Sequence, residues 1–434
     1  MSEAAPTNTP NSNAPSSGLF YGWVVVGTVF VILTVTSGLG FYNASVILAA
    51  ATDELGASVG AVSGGPALFF AISGLTGFVL SRQMDERDLR WFFLGGGILG
   101  AAALASLQFV ESVVQLYAFF AVFGVGFALS GLVPATTLVT RWFSVRRSVA
   151  LSIASTGLSV GGIALTPVAA WLIDRDTLAG AGPVLAVIWL IGVIPISLVL
   201  IRSRPADKGL HPDGIVPDSD ATAAAARAGA TFAQARTTRF FMLMCVTYAL
   251  IFFAQVGGLA HLFNLAAERT DKTTAGTALS LLAFTSVLGR LAGGVIVLRA
   301  PTKSLSVVLT LFQGLALVAL AFSTTPTSII VSAILLGLSV GNLLMLQPLL
   351  LAEAFGVAEY SRIYSFNQLF GTLGVGGGPF ALGLVHDVAD YRVAFLVAAG
   401  ASLIGFVTFL AAGPTSRALA IWAPGSSPSP STSP

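Results

Sequence analysis

Twelve long apolar stretches, separated mostly by short polar connections, constrain this chain more than any other feature. A helix needs about 20 apolar residues to cross the hydrocarbon core of a bilayer. Only 9% of the 434 residues are charged and 55% are hydrophobic, whereas about a quarter of the residues of a soluble domain are charged. The sequence therefore predicts an all-α polytopic membrane protein with twelve transmembrane helices. The predicted spans are 22–48, 58–81, 90–109, 113–140, 148–173, 182–201, 240–266, 274–298, 304–323, 327–352, 362–386 and 393–413.

The longest polar connection, residues 202–238, divides the spans into two sets of six. We predict that this linker joins an N-terminal six-helix bundle (19–201) to a C-terminal six-helix bundle (239–414). Residues 1–18 and 415–434 contain many Pro and Ser residues, a composition typical of disordered tails.

Basic residues are distributed unequally between the two sides of the predicted membrane. Sixteen of the 21 Lys and Arg residues lie on the side that carries both termini and the linker, and four lie on the other side. Because basic loops stay in the cytoplasm, we predict a multi-pass protein of the cell (inner) membrane with both termini cytoplasmic.

Composition also limits the partners and cofactors. The net charge of +2 gives no reason to expect nucleic-acid binding. The single cysteine, Cys245, excludes an intramolecular disulfide, and the sequence has no metal-ligand cluster. We expect a monomer in the lipid bilayer, without a cofactor or a metal.

Arg290 is the only charged residue in the apolar stretch 276–298. A charged side chain at the centre of a membrane helix costs about 2.5–3.5 kcal/mol on insertion scales, and arginine does not lose its proton in proteins. The next basic residue, Arg299, lies about 13 Å along the helix, which is too far for Arg290 to reach the interface comfortably. Arg290 therefore needs a partner within the membrane.

An anionic substrate is the partner that the sequence favours for Arg290. The planar guanidinium suits bidentate binding of a carboxylate. A fixed internal carboxylate is disfavoured, because all 19 Asp and Glu residues fall in loops, tails or span ends. Hydrogen bonding to broken backbone near the many glycines stays open as an alternative. A single positive charge favours a monoanion over a dianion.

Six further polar residues within the spans are predicted to form the substrate site with Arg290. An unperturbed histidine pKa near 6.5 would let the one histidine among them carry a proton; alternatively, it stays neutral and bridges helices. Intramembrane polar groups also commonly join helices, at about 0.6 kcal/mol each, and this alternative stays open for the other five. The six residues are His261, Asn264, Ser286, Asn342, Asn367 and Gln368.

The stretch GFVLSRQMDER, residues 77–87, is similar to the loop signature G-x-x-x-D-R-x-G-R-R of the major facilitator superfamily. Gly77 and Arg82 match the signature. Ser81 stands where the family aspartate belongs, and Met84 stands where the second glycine belongs, so the family's charge latch is in question here. Together with the twelve spans in two halves, the resemblance implies the major facilitator fold of two six-helix bundles.

Four other stretches resemble the branch of monocarboxylate transporters and oxalate/formate antiporters. In that branch the arginine of an S-x-x-G-R pattern in span eight binds the substrate carboxylate, which implies this role for Arg290. Proton coupling there involves a lysine in span one and an aspartate beside the arginine; span one has no lysine here, and Ser286 stands one turn before Arg290. The lysine that antiporters carry in span eleven is also missing. The stretches are YGWVVVGTVF, RWFSVRRSVALSIASTGLSVGG, LSLLAFTSVLGRLAGG and FGTLGVGGGPFALGLVHDVADYRVAF.

We therefore predict a secondary active transporter that moves a small organic monocarboxylate by alternating access, through anion exchange or proton-linked symport. A membrane enzyme would need a metal or acid–base cluster within the spans, and the sequence has none, so we expect no enzymatic activity. The alternative is a major facilitator transporter of neutral or hydrophobic compounds, of the drug-efflux type, in which Arg290 is structural.

Overall fold

The structure, a computed structural model, describes residues 20–57, 59–216 and 228–422, without the side chains at 59, 60 and 63. The predicted N-terminal tail lies outside these residues. The first residues of the predicted C-terminal tail are described, and they form a short helix, Thr415–Leu419. Trp422, just after this helix, donates a hydrogen bond from Nε1 to the carbonyl oxygen of Ala354, at 3.1 Å.

Long apolar helices make up nearly all of the described residues, and several are longer than the predicted spans. The membrane-spanning segments are α1 (Tyr21–Leu55), α2 (Val59–Glu86), α3 (Arg90–Ser106), α4 (Val113–Trp142), α5 (147–176), α6 (178–200), α7 (Arg239–Arg269), α8 (Lys272–Ile296), α9 (Thr302–Phe322), α10 (Pro326–Phe355), α11 (Tyr360–Val388) and α12 (Tyr391–Ala411). The all-α fold predicted from the sequence is confirmed.

α5 and α6 form one helix of 54 residues, Arg147–Leu200, that is broken at Thr177. A straight helix of that length would measure about 80 Å, more than twice the thickness of a bilayer core. Thr177 has φ 61°, in the left-handed region that a β-branched residue rarely adopts. Past the break, the Leu178 N–H donates to Glu54 Oε1 at 2.8 Å. The chain therefore reverses at Thr177, and the helix provides two spans.

The two halves of the chain meet along two pairs of helices, α2 with α11 and α5 with α8. We call the end of the molecule that carries residues 201–216 and 228–238 the linker end, and we call the opposite end the far end. At the linker end, Phe355, Tyr360 and Tyr364 share one buried core with the first half of the chain. At the far end, the described residues of the second half form a core of their own, without residues of the first half. The halves are therefore packed together at the linker end.

Asp85 joins the halves at the linker end. Its carboxylate, at the end of α2, accepts hydrogen bonds from the backbone N–H groups of Ser361 (3.0 Å) and Arg362 (3.3 Å), in the first turn of α11. Arg141 Nη2 donates to the carbonyl oxygens of Met84 and Asp85. A carboxylate at a helix N-terminus satisfies free N–H groups and complements the helix dipole. Asp85 thus joins the end of α2 to the first turn of α11 and so connects the two halves.

The linker also ties the halves together. The carboxylate of Asp213 accepts hydrogen bonds from the backbone N–H groups of residues 144–146, between α4 and α5. Further along, the Phe232 N–H donates to Glu359 Oε2 at 2.9 Å. The Phe232 ring lies 5.8 Å from Phe78 of the first half and 5.2 Å from Phe366 of the second. The described parts of the predicted linker, 202–216 and 228–238, therefore pack against both halves of the chain.

Replacing Asp85 by alanine should weaken the contact between α2 and α11. The variant leaves the two N–H groups of α11 without their anionic acceptor, and we expect a loss of about 2 kcal/mol in the free energy of unfolding. Thermal unfolding of the purified protein in detergent measures the change as a lower melting temperature.

The matched control is Glu86→Gln, one residue further on. The side chains of Glu86 and its partner Arg82 are 59% and 72% exposed, so their ion pair contributes little. We expect the melting temperature of this variant to stay at the wild-type value. Equal melting temperatures for Asp85→Ala and wild type would contradict the role given to Asp85.

Candidate functional site

Arg290 lies within α8 at the junction of the two halves, and only 2% of its surface is exposed. Glycines on α8 and α10 allow this approach. A Cβ atom on Gly289 would lie 2.8 Å from the carbonyl oxygen of Leu338, and a Cβ on Gly341 would overlap the backbone of Ser286. Without side chains at these positions, α8 and α10 pack backbone to backbone beside Arg290.

The guanidinium of Arg290 is bonded to both halves. Its Nε donates to the carbonyl oxygen of Gly341 on α10 at 2.9 Å. Its Nη1 donates to the carbonyl oxygen of Ser155 and, at 3.2 Å, to the hydroxyl of Ser159, both on α5. The Ser152 hydroxyl returns a bond of 2.6 Å to the backbone carbonyl of Arg290. These neutral acceptors hold the side chain in place.

No acidic side chain of the described residues forms an ion pair with Arg290. Its Nη2 group donates to no acceptor within the described residues. Carbonyl and hydroxyl oxygens solvate a cation in part and do not neutralise it. The side chain therefore keeps both its positive charge and spare hydrogen-bonding capacity, the two properties that a carboxylate ligand uses.

A cavity of about 170 Å³ lies between the two halves, and Arg290 is part of its wall. The other polar side chains in the wall include Tyr42, Ser159, Gln255 and Gln368. The Oε1 atoms of both glutamines are buried and accept no hydrogen bond from the described residues. The cavity thus has one cationic side chain in a wall that is mostly apolar, with the two glutamines among its polar residues.

The first half lines the cavity with an irregular part of α1. Residues Ser37–Tyr42 form a π-helical segment, SGLGFY, within the α-helix. π-Helical turns are rare and frequently occur at functional sites. Ser37, Phe41 and Tyr42, all in this segment, line the cavity. The local change of helical geometry therefore determines which side chains of α1 face Arg290.

Of the seven residues predicted to bind substrate, the structure brings three to the cavity: Arg290, Ser286 and Gln368. Asn367, next to Gln368 in sequence, is fully buried elsewhere. It accepts a hydrogen bond of 2.6 Å from Gln347 Nε2 and donates one to Cys245 Sγ at 3.4 Å. It therefore joins α7, α10 and α11, the structural role that the sequence left open.

The other three predicted residues also lie outside the cavity. The Asn342 side chain donates to the Leu338 carbonyl oxygen, one turn earlier on its own helix, at 2.8 Å. His261 Nε2 lies 2.9 Å from the carbonyl oxygen of Pro379 on α11, so this histidine bridges two helices. Asn264 is one turn nearer the far end and is exposed. None of the three lines the cavity, although the Asn342 amide packs against Gly289 and Gly293 of α8, on either side of Arg290 in the sequence.

Gln255 and the aromatic residues of the first half are among the cavity-lining positions that the sequence analysis did not select. Gln255 is a buried polar residue in an apolar helix, which is the signal that could have identified it. The aromatic residues, Phe41, Phe70 and Phe127, carry no such signal, because phenylalanine is common throughout the spans.

The comparisons with known proteins agree with this architecture. The model of the Major Facilitator Superfamily matches residues 30–271 and 240–429. Monocarboxylate transporter 13 of Rattus norvegicus is 25% identical over 392 residues, which cover 88% of this chain and 87% of the relative. An MFS-type transporter of Gibberella moniliformis is also 25% identical, over 91% of this chain and 90% of the relative.

Solved structures share the fold at low sequence identity. A bacterial homologue of the iron transporter ferroportin, in an outward-facing state, matches with a TM-score of 0.69 and 15% identity, over 91% of this chain and 99% of that chain. The transporter FucP, in the outward conformation, matches with a TM-score of 0.66 and 14% identity, over 91% of this chain and 100% of that chain. The multi-pass helical fold and the match of the family model along both halves show that the chain belongs to the Major Facilitator Superfamily of transporters.

Proposed function

We propose that the protein is a secondary active carrier of a small organic monocarboxylate and that Arg290 binds the carboxylate. The observation that carries the proposal is a buried guanidinium at the cavity wall, without an acidic partner among the described residues. The monocarboxylate transporters among the relatives support this substrate class. If the cytoplasmic side is the linker end, as the distribution of basic residues predicts, the structure is the outward-facing form.

Alternating access would change the bonds of Arg290. The bonds to Ser155 and Ser159 cross from the second half to the first, so a rocking motion of the halves strains or breaks them. A bound carboxylate replaces these neutral acceptors with an anion and removes the net charge from the cavity. Closing apolar helices over the loaded site therefore costs less than closing them over the empty site. This difference favours reorientation of the loaded carrier and hence exchange of one anion for another.

The lining of the cavity supports exchange over proton-linked symport. Among its described residues there is no Asp, Glu, His or Lys. The histidine considered as a proton carrier, His261, is bonded to Pro379 outside the cavity. We propose that His261 is a structural residue and that the gradient of an exchanged anion drives transport.

A second candidate function is transport of neutral or hydrophobic compounds, as in drug-type efflux. It is favoured by the mostly apolar wall and by the bonds of Arg290 to backbone carbonyls, which would give the arginine a structural role. The two candidates differ in whether removal of the positive charge abolishes transport.

Replacing Arg290 by glutamine should strongly reduce the apparent affinity for radiolabelled lactate in uptake by proteoliposomes. Glutamine still donates hydrogen bonds to backbone carbonyls but carries no charge, and the loss of a charge-assisted pair of hydrogen bonds costs about 2–3 kcal/mol, or roughly 30- to 150-fold in affinity. Protein-free liposomes give the passive diffusion of the acid.

Arg299→Gln is the matched control, because Arg299 is an exposed arginine just beyond the end of α8. Its uptake should equal that of the wild type. If Arg290→Gln transports lactate at the wild-type rate, the substrate role is wrong and the second candidate is favoured.

Replacing His261 by glutamine tests the proposed coupling. Glutamine still donates to the Pro379 carbonyl but cannot carry a proton, so we expect uptake with an unchanged dependence on an imposed pH gradient. Preloading the vesicles with unlabelled lactate should accelerate uptake in both the variant and the wild type. Loss of a pH-driven component in the variant alone would contradict exchange and support proton symport through His261.

A further inference from the structure

Aromatic rings form much of the cavity wall on the side of the first half. Phe41, Tyr42, Phe70 and Phe127 line the cavity, and each is only partly buried although it lies in a spanning helix between packed neighbours. Phe252, on α7, faces the same space from the second half. Part of each of the first four rings is therefore available to a molecule in the cavity.

These rings are already arranged as aromatic pairs prefer. Phe41 and Phe70 are in an edge-to-face arrangement, with centroids 5.4 Å apart. The ring centroid of Phe69, behind the wall, lies 5.0 Å from that of Phe70 and 5.1 Å from that of Phe127. Edge-to-face and tilted pairs at such separations contribute attraction beyond the burial of area. A flat aromatic guest would extend this cluster without a change in its geometry.

The volume of the cavity is large enough for one aromatic ring. An apolar cavity of about 150 Å³ binds benzene, and the cavity beside Arg290 measures about 170 Å³. Acetate or lactate would occupy only part of this space and leave the rings without contact partners. Unfilled volume against apolar walls forfeits dispersion contacts.

We infer that the cargo is a monocarboxylate that carries one aromatic ring. The carboxylate binds Arg290, and the ring lies among Phe41, Phe70 and Phe127. The inference rests on the proposed function, because it takes Arg290 as the carboxylate site. Within the described lining Arg290 is the only charged side chain of either sign, so we expect the rest of the cargo to be uncharged.

Ligand-induced shifts of the melting temperature of the purified protein test the inference, since a ligand of the folded state stabilises it according to its affinity. The probes are phenylacetate, cyclohexylacetate, acetate and the neutral phenylacetamide. We expect phenylacetate to bind at least about tenfold more tightly than acetate, because the ring buries apolar area. It should bind several-fold more tightly than cyclohexylacetate, which has a similar size without a π system. Phenylacetamide should give no shift, and neither should phenylacetate with the Arg290→Gln protein.

A second arm of the experiment uses the rings of the protein. Phe70→Leu should reduce the preference for phenylacetate over cyclohexylacetate, since one of the three aromatic partners of the cargo ring is lost. The control is Phe284→Leu, on the same helix as Arg290, where the phenylalanine is 57% exposed and outside the cavity. That variant should keep the wild-type preference.

The outcomes separate the inference from the proposed function. The inference of an aromatic cargo is wrong if acetate binds as tightly as phenylacetate, or if phenylacetate and cyclohexylacetate bind equally. Either result leaves the proposed monocarboxylate carrier intact. Absence of a shift with all three acids, or an equal shift with phenylacetamide, overturns the carboxylate role of Arg290 itself.

Discussion

The arrangement around Arg290 depends on one constraint, the cost of keeping a guanidinium charged and away from water. Among the described residues, carbonyl and hydroxyl oxygens of Ser155, Ser159 and Gly341 accept hydrogen bonds from the guanidinium, and no carboxylate does. Neutral acceptors lower the cost of burial and leave the charge uncompensated. The free energy still to be gained by pairing that charge is what an anionic cargo can supply.

The same constraint connects the site to the conformational cycle. The acceptors of Arg290 come from α5 in the first half and α10 in the second. Its bonds to α5 therefore depend on the distance between the two halves. At the linker end, two contacts hold the halves together: the bonds of Asp85, at the end of α2, to the first turn of α11, and the packing of Phe232 between Phe78 and Phe366. Opening the linker end requires breaking the contacts of Asp85 and Phe232 there and the bonds of Arg290 to α5. A cargo that takes over the hydrogen bonds of Arg290 removes one set of them.

The spans and the exceptional position of Arg290 could be predicted from the sequence, because length, hydropathy and the cost of a lone charge are local properties. The orientation of the other polar side chains could not. Asn367 and Gln368 are neighbours in sequence, but successive residues point about 100° apart around a helix, so only Gln368 reaches the cavity. His261 lies six residues after Gln255, about 240° round the helix. The π-helical turn at Ser37–Tyr42 changes which side chains of α1 face the cavity, and the sequence does not reveal it. The contact between the halves is made by Asp85, one turn after Ser81, so the degenerate motif did not indicate which residue makes it.

The central claim is that the fixed neutral acceptors of Arg290 give way to a carboxylate from the cargo. The most direct measurement is an experimental structure of the protein with phenylacetate bound, at a resolution that shows the guanidinium and the ligand. We expect both carboxylate oxygens within about 3 Å of the Nη atoms of Arg290, with the bonds to Ser155 and Ser159 lengthened or lost. A ligand carboxylate bound away from Arg290, with the bonds to Ser155 and Gly341 unchanged, would contradict the account.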